Sequence, residues 1–189
     1  MRFLIRVADV VGRPVVTLNG DAIAQVKDVV LGAADGRVTT FTLNGRGLLS
    51  GPLREILPWS NVRAFGPDAV MVVNRSMVVG PDETESTGGT GCGVNGAAVL
   101  TVEGEDVGRV TDVILDVADD AAWAVGYEVR LGHQGAGRGT VMMPVPLPIA
   151  ATRENVVVPV ASVRFTTEDL TGFREAARGL ERALREEAS

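Results

Sequence analysis

An internal repeat constrains this chain more than any other feature of its sequence. Residues 14–31 and 98–115 align without a gap at a separation of 84 residues, as from Gly20 to Gly104. Apolar positions match along nearly the whole segment. Identical pairs include Thr17/Thr101, Gly20/Gly104, Val26/Val110 and Asp28/Asp112. The repeat therefore predicts one small module that occurs twice.

The size of each copy predicts that the two modules depend on each other. The chain has 189 residues, of which 46% are hydrophobic and 22% are charged, and this composition is typical of a globular protein. A module of about 70 residues buries only about 60% of the surface that its unfolded chain exposes. We therefore expect the copies to pack together or against an added element.

The net charge limits the kind of partner that the protein can bind, and the cysteine content indicates its cellular compartment. The formal net charge of −6 opposes the phosphate backbone, so no direct nucleic-acid contact is expected. A single cysteine, Cys92, cannot form an internal disulfide, which suits a reducing compartment. Arg6 and Asp9 interrupt the first apolar residues, and no run of 18 apolar residues occurs. We expect a cytoplasmic protein without a transmembrane segment.

Short β-strands separated by turns are predicted in the first copy. Residues 15–18, 23–31 and 38–43 are rich in β-branched side chains. The breaks between them contain Asn19–Gly20 and Asp35–Gly36, which supply the positive φ angles of tight hairpins. These three strands should form a meander.

Each third strand leads into a Gly-rich excursion, at residues 45–51 and 132–140, and then into an apolar strand with a proline. The prolines are Pro58 in the first copy and Pro144 in the second. The last strands are predicted at 69–73 and 155–158. Five or six short strands in so few residues favour a small β-barrel over an open sheet with unprotected edges.

Residues 81–93 are acidic and then Gly-rich, as is typical of a flexible linker. The predicted organisation is a first barrel at 1–80, this linker, a second barrel at 94–165 and a helix at 166–189. The fold class is all-β, with two tandem barrels and one C-terminal amphipathic helix.

The C-terminal helix carries an apolar stripe with helical spacing. We expect Thr166 or Thr167 to cap its N-terminus, with Glu168 and Asp169 in the first turn. The stripe has three possible roles: docking on a barrel, a short coiled-coil or dimer seam, or partner binding. The candidate partner-binding residues are Leu170, Phe173, Ala177, Leu180 and Leu184.

Motifs that would bind a cofactor or a metal ion do not have the sequence context that they need. Residues 91–96 match the Gly-x-Gly-x-x-Gly pattern, but a strand follows them where a dinucleotide site needs a helix. His133 lacks a neighbouring ligand, which predicts an exposed loop residue. The carboxylates of Asp112, Asp116, Asp119 and Asp120 are expected on a solvated hairpin face. No catalytic residue, cofactor or metal site is predicted.

Two further features favour structural roles over binding roles. Trp59 and Trp123 lie in predicted strands, and large indoles usually pack in cores, although they also form binding hot spots. Pro144, Pro146 and Pro148 alternate, which removes backbone donors from one side of their strand. We interpret this segment as a blunted edge, with a polyproline ligand as the alternative.

The repeated pattern resembles the PRC-barrel family. The resemblance covers both copies and leaves the linker and helix unexplained. In the first copy it runs through Gly20, Ile23, Ala24, Val26, Asp28, Val29, Val30, Leu31 and Pro58. In the second it runs through Gly104, Val107, Gly108, Val110, Asp112, Val113, Ile114, Leu115 and Pro144.

The resemblance implies a compact barrel of the kind found in the photosynthetic reaction-centre H subunit and in a ribosome-maturation factor. It implies protein docking without a shared catalytic residue set. The predicted function is therefore a non-catalytic interaction or scaffold module with an unidentified protein partner. Three alternatives remain open: an assembly factor for a ribonucleoprotein or membrane-protein complex, a ligand binder or enzyme that uses the Gly-rich excursions, and a homodimer.

Overall fold

Fourteen short strands and one long helix make up the computed structural model, which describes residues 2–32, 35–47, 50–80, 90–91, 93–132, 139–146 and 150–188. The first strands are β1 (Phe3–Arg6), β2 (Pro14–Thr17), β3 (Ala22–Leu31), β4 (Val38–Asn44), β5 (Pro52–Pro58), β6 (Val62–Phe65) and β7 (Val70–Val72). They are followed by β8 (Thr90–Gly91), β9 (Ala98–Thr101), β10 (Asp106–Val117), β11 (Ala122–Leu131), β12 (Thr140–Pro144), β13 (Ala150–Ala151) and β14 (Asn155–Val158). Helix α1 spans Leu170–Glu187.

The two copies form two sheets with the same topology. The first sheet has the order β5-β4-β3-β2-β7-β6, and the second has the order β12-β11-β10-β9-β14-β13. In each sheet one pair is parallel, β2 with β7 and β9 with β14. The predicted meander and the duplication of the module are therefore confirmed at the level of strand order.

The shared Thr and Gly residues build the same hairpin loop in both copies. Gly20 and Gly104 have φ angles of +90° and +85°, which favour glycine. The Thr17 hydroxyl accepts a hydrogen bond from the Asp21 amide at 3.2 Å, and Thr101 makes the equivalent bond. Both threonines are buried. The strongest identities of the repeat thus fix the turn between the first two strands of each module.

The strand that precedes each module pairs with the other module. Strand β1 pairs with β10, placing Ile5 opposite Leu115, and β8 pairs with β3, placing Thr90 opposite Leu31. Leu31 and Leu115 are equivalent positions of the repeat, so the exchange is reciprocal. Residues 3–6, which lie within the predicted first module of 1–80, therefore pair with the second sheet. The domain boundaries themselves stay a prediction. Within the predicted linker, Thr90 and Gly91 form a strand; residues 81–89 and Cys92 lie outside the described residues.

A buried carboxylate reinforces one of these exchanges. Asp112 on β10 accepts hydrogen bonds from the amides of Val113 at 2.8 Å and Ala8 at 3.2 Å. Asp112 is only 5% exposed, and this burial raises the pKa of its carboxyl group. The prediction of a solvated face is therefore wrong for Asp112, and also for the buried Asp116.

One continuous apolar core includes residues of both modules. Phe3 from β1 stacks on Phe65 of the first module, with ring centroids 6.3 Å apart. Phe65 also lies 6.0 Å from Phe41 and 5.8 Å from Trp59. The Trp59 indole donates to the Asp120 carbonyl of the second module at 3.0 Å. The expected packing of the copies is confirmed, and half-buried Trp59 takes part in it.

One end strand of each sheet has a single-bridge partner. Ile56 of β5 exchanges backbone hydrogen bonds with Val79, and Met142 of β12 does so with Thr167. The strand pairings among the described residues confirm a mostly β protein with two sheets and one C-terminal helix. Closure of each sheet into a barrel stays a prediction.

Helix α1 begins later than predicted. Asp169 is its N-cap, and its carboxylate accepts from the amides of Thr171 at 2.8 Å and Gly172 at 3.3 Å. Neither Thr166 nor Thr167 caps the helix. Thr167 is still extended because its backbone pairs with β12. The first free position for a cap is thus Asp169.

We expect Asp112→Ala to destabilise the protein by about 1–3 kcal/mol because the amides of buried Val113 and of Ala8 lose their acceptor. Asp112→Asn should cost less, since its carbonyl oxygen retains an acceptor toward Val113. Asp28→Ala is the matched control at the half-buried equivalent position. Urea unfolding measures all three variants. Equal losses for Asp112→Ala and Asp28→Ala would contradict the role assigned to the Ala8 contact.

The same residue predicts a pH dependence. Because the folded-state pKa of Asp112 is raised, the folded state holds this proton more tightly than the unfolded state does. Relative to Asp112→Asn, the wild type should therefore lose stability as the pH rises from about 3.9 through the folded-state pKa. Denaturant unfolding of both proteins over this range measures the difference. A relative gain for the wild type with rising pH would show that the sign is wrong.

Candidate functional site

The apolar stripe of α1 is divided between internal packing and a groove. Phe173 and Leu180 are 1% and 2% exposed and pack against the protein itself. Leu170, Ala177 and Leu184 are half-buried. Three roles were considered for the stripe. The structure shows one of them, docking of the helix on the second module. Partner binding through the half-buried residues stays a prediction.

Phe173 anchors the helix on the second sheet. Its ring packs with Ile114 of β10 and Met142 of β12. Gly126 of β11 provides the space, because a Cβ atom there would lie 2.6 Å from Phe173 Cζ. A side chain at position 126 would therefore clash with this ring and with the Met143 carbonyl of β12.

Gly179 has a comparable role in the second half of α1. A glycine inside a helix costs about 1 kcal/mol relative to alanine. A Cβ atom at this position would lie 2.6 Å from Cε1 of Phe165, which belongs to the 3-10 segment Val160–Phe165. The close approach of this ring to the helix backbone explains why a residue with poor helix propensity stands here.

A groove of about 550 Å³ lies between α1 and the second sheet. Its apolar lining comes from four separate parts of the chain. Leu4 is on β1, Val125 is on β11, Pro146 follows β12, and Ala177 and Leu184 are on α1. Each of these five side chains is half-buried, so the groove presents partly exposed apolar surface.

A cluster of two guanidinium groups around one carboxylate forms the charged part of the groove. Asp116 Oδ2 accepts from Arg2 Nε at 2.8 Å, and Asp116 Oδ1 accepts from Arg174 Nη2 at 3.1 Å. The Asp116 side chain is 6% exposed, whereas that of Arg2 is 64% exposed. Asp116 therefore connects β10 to Arg2, which precedes β1, and to Arg174 on α1. Sequence reasoning missed this cluster, because 114 residues separate Arg2 from Asp116.

The groove continues toward the junction of the two modules. Arg2, Asp116 and Val125 also line a second depression of about 290 Å³, which ends at Trp123. The guanidinium of Arg37, from the first module, lies 5.9 Å from the centroid of the Trp123 ring. Trp123 is half-buried at this junction and is not a central core residue.

In the part of the chain that the structure describes, the motifs considered for cofactor or metal chemistry do not come together. Gly91, the first residue of the Gly-x-Gly-x-x-Gly segment, is the last residue of β8, and the turn at 93–96 leads into the strand β9. His133 lies outside the described residues. Within the described ranges, no three metal-ligating side chains come together, and no helix is long and apolar enough to cross a membrane.

The family model for the PRC-barrel domain matches residues 4–78 and 93–166. The chain belongs to the PRC-barrel family. A comparison with curated proteins finds no match. PRC-barrel domains are generally protein-interaction modules. The matched segments end before α1, so one wall of the groove comes from a helix outside the PRC-barrel domains.

We expect Phe173→Ala to release α1 while leaving the PRC-barrel domains folded. Loss of a buried phenylalanine ring costs about 3–5 kcal/mol, and this ring connects the helix to the sheet. Hydrogen exchange followed by mass spectrometry should show lower protection in residues 170–187 and unchanged protection in β2–β5. Arg182→Ala, an exposed change in the same helix, is the control. Unchanged protection of α1 in Phe173→Ala would contradict the anchoring role.

Proposed function

We propose that this PRC-barrel protein is a non-catalytic interaction or scaffold module that holds a partner protein in the groove beside α1. The observation that carries the proposal is the groove lining, in which partly exposed apolar side chains from four parts of the chain lie beside a charged cluster. Apolar anchors within a polar rim are the usual anatomy of a protein interface.

The charges of the groove support recognition over catalysis. Asp116, one of two acidic residues in the lining, already accepts from Arg2 and Arg174, so both of its carboxylate oxygens are engaged within the protein. Guanidinium groups stay protonated and are suited to binding carboxylates. The Gly-rich excursions, through which an enzyme or ligand binder would act, lie partly outside the described residues.

A protein is the favoured partner, and the cytoplasm the favoured compartment. The net charge of −6 disfavours a phosphate backbone as the ligand. The single cysteine suits a reducing environment. A partner that belongs to a ribonucleoprotein or a membrane-protein complex would give the narrower role of an assembly factor.

Site-specific photo-crosslinking in the native host tests this function. A photoreactive residue at Leu184, in the groove, should capture a specific protein, because this side chain would contact the bound partner. The same residue at exposed Arg182, on the opposite face of α1, is the matched control. Capture of the same proteins from both positions, or of none from Leu184, would contradict the proposed function.

A further inference from the structure

We infer that the groove beside α1 binds an amphipathic helix whose apolar face is flanked by acidic residues. This inference rests on the proposed function and specifies the kind of partner segment. It follows from three properties of the groove: the backbone groups available at its edge, the spacing of its apolar residues, and the sign of its charge.

The backbone on the β12 side of the groove offers no row of free groups to a partner strand. Pro144 and Pro146 have no N–H groups, and the amide of Val145 already donates to the Val125 carbonyl at 3.1 Å. Both backbone groups of Met142 are paired with Thr167. Because strand addition needs free donors and acceptors, a partner on this side of the groove is recognised by side chains.

The shape of the groove suits a helix. Its α1 wall presents Ala177 and Leu184, two turns apart, or about 10 Å along the helix axis. Ala177 is small, so another helix can approach closely at this point. Leu4 and Val125 form the opposite apolar surface. Apolar residues at positions i, i+3, i+4 and i+7 of a bound helix would match this arrangement.

The charges select an acidic helix. Arg2, Arg174 and Arg178 line the groove, and the buried Asp116 carboxylate neutralises only one of these three cations. The other acidic residue of the groove, Glu181, has its carboxylate 3.9 Å from Arg185. With three arginines against two carboxylates, the lining carries one net positive charge on a chain whose net charge is −6. Carboxylates beside the apolar stripe of a partner would complete these contacts.

A second copy of α1 fits this groove poorly. The two largest side chains of its apolar stripe, Phe173 and Leu180, are already buried in its own module and are not available to a second groove. The groove is thus better suited to a different protein than to the homodimer that the sequence left open.

Binding of model peptides to the full chain tests the inference. The probe is a labelled amphipathic peptide of about 18 residues, with leucines at i, i+3, i+4 and i+7 and glutamates beside them. A matched peptide carries lysines in place of the glutamates. Fluorescence anisotropy should show that the acidic peptide binds at least about tenfold more tightly, and that added salt weakens it.

Two charge reversals locate the binding site. Arg178→Glu, in the groove, should weaken binding of the acidic peptide by about tenfold or more. Arg63→Glu makes the same charge change at an exposed residue of β6, in the first module and outside the groove lining, and should leave the affinity unchanged. Equal effects of the two variants, or equal affinities for the two peptides, would overturn the inference. So would stronger binding to vesicles of anionic lipid than to the acidic peptide.

These results are separable from those of the crosslinking experiment. A protein captured at Leu184 through a segment that is not an acidic helix would support the proposed function and overturn this inference. Binding of the acidic peptide at Arg178 without any captured protein would support the groove chemistry and contradict the scaffold role.

Discussion

The reciprocal pairing of β1 with β10 and of β8 with β3 is the constraint on which the rest of the structure depends. Each module is too small to bury a large core, and the exchanged strands place apolar residues of one module against the other. Phe3 shows the effect directly, because it lies on a strand of the second sheet and stacks on Phe65 of the first module. The continuous core follows from this exchange. The chain is therefore best described as one folded unit built from two copies of a module.

The same exchange creates the candidate site. Strand β1 carries Leu4 to the second sheet, and the residue before it places Arg2 beside Asp116. Helix α1 then packs over β10 and β12 through Phe173 and leaves Ala177 and Leu184 facing the space beside it. The groove thus needs β1 from before the first repeat and α1 from beyond the second. Neither module could form the groove alone. The candidate site therefore depends on both the duplication and the added helix.

Local patterns in the sequence predicted the local structure but not the long-range strand pairings. The repeat and its turn residues, such as Gly20, predict the meander because hairpins depend on neighbouring residues. The partner of β1 is not a local property, since a short apolar strand can pair with either sheet. Asp28 and Asp112 are identical in the repeat, yet only Asp112 is deeply buried. The periodicity of α1 predicts a covered apolar face, but it cannot identify the surface that covers Phe173.

Native-state hydrogen exchange of the full chain at increasing denaturant concentration tests the central claim most directly. If the exchanged strands make the two modules one cooperative unit, the slowest amides of β3 and β10 should open with the same free energy and the same denaturant dependence. Separate opening of the two sheets, with β1 or β8 released before either sheet unfolds, would contradict this account.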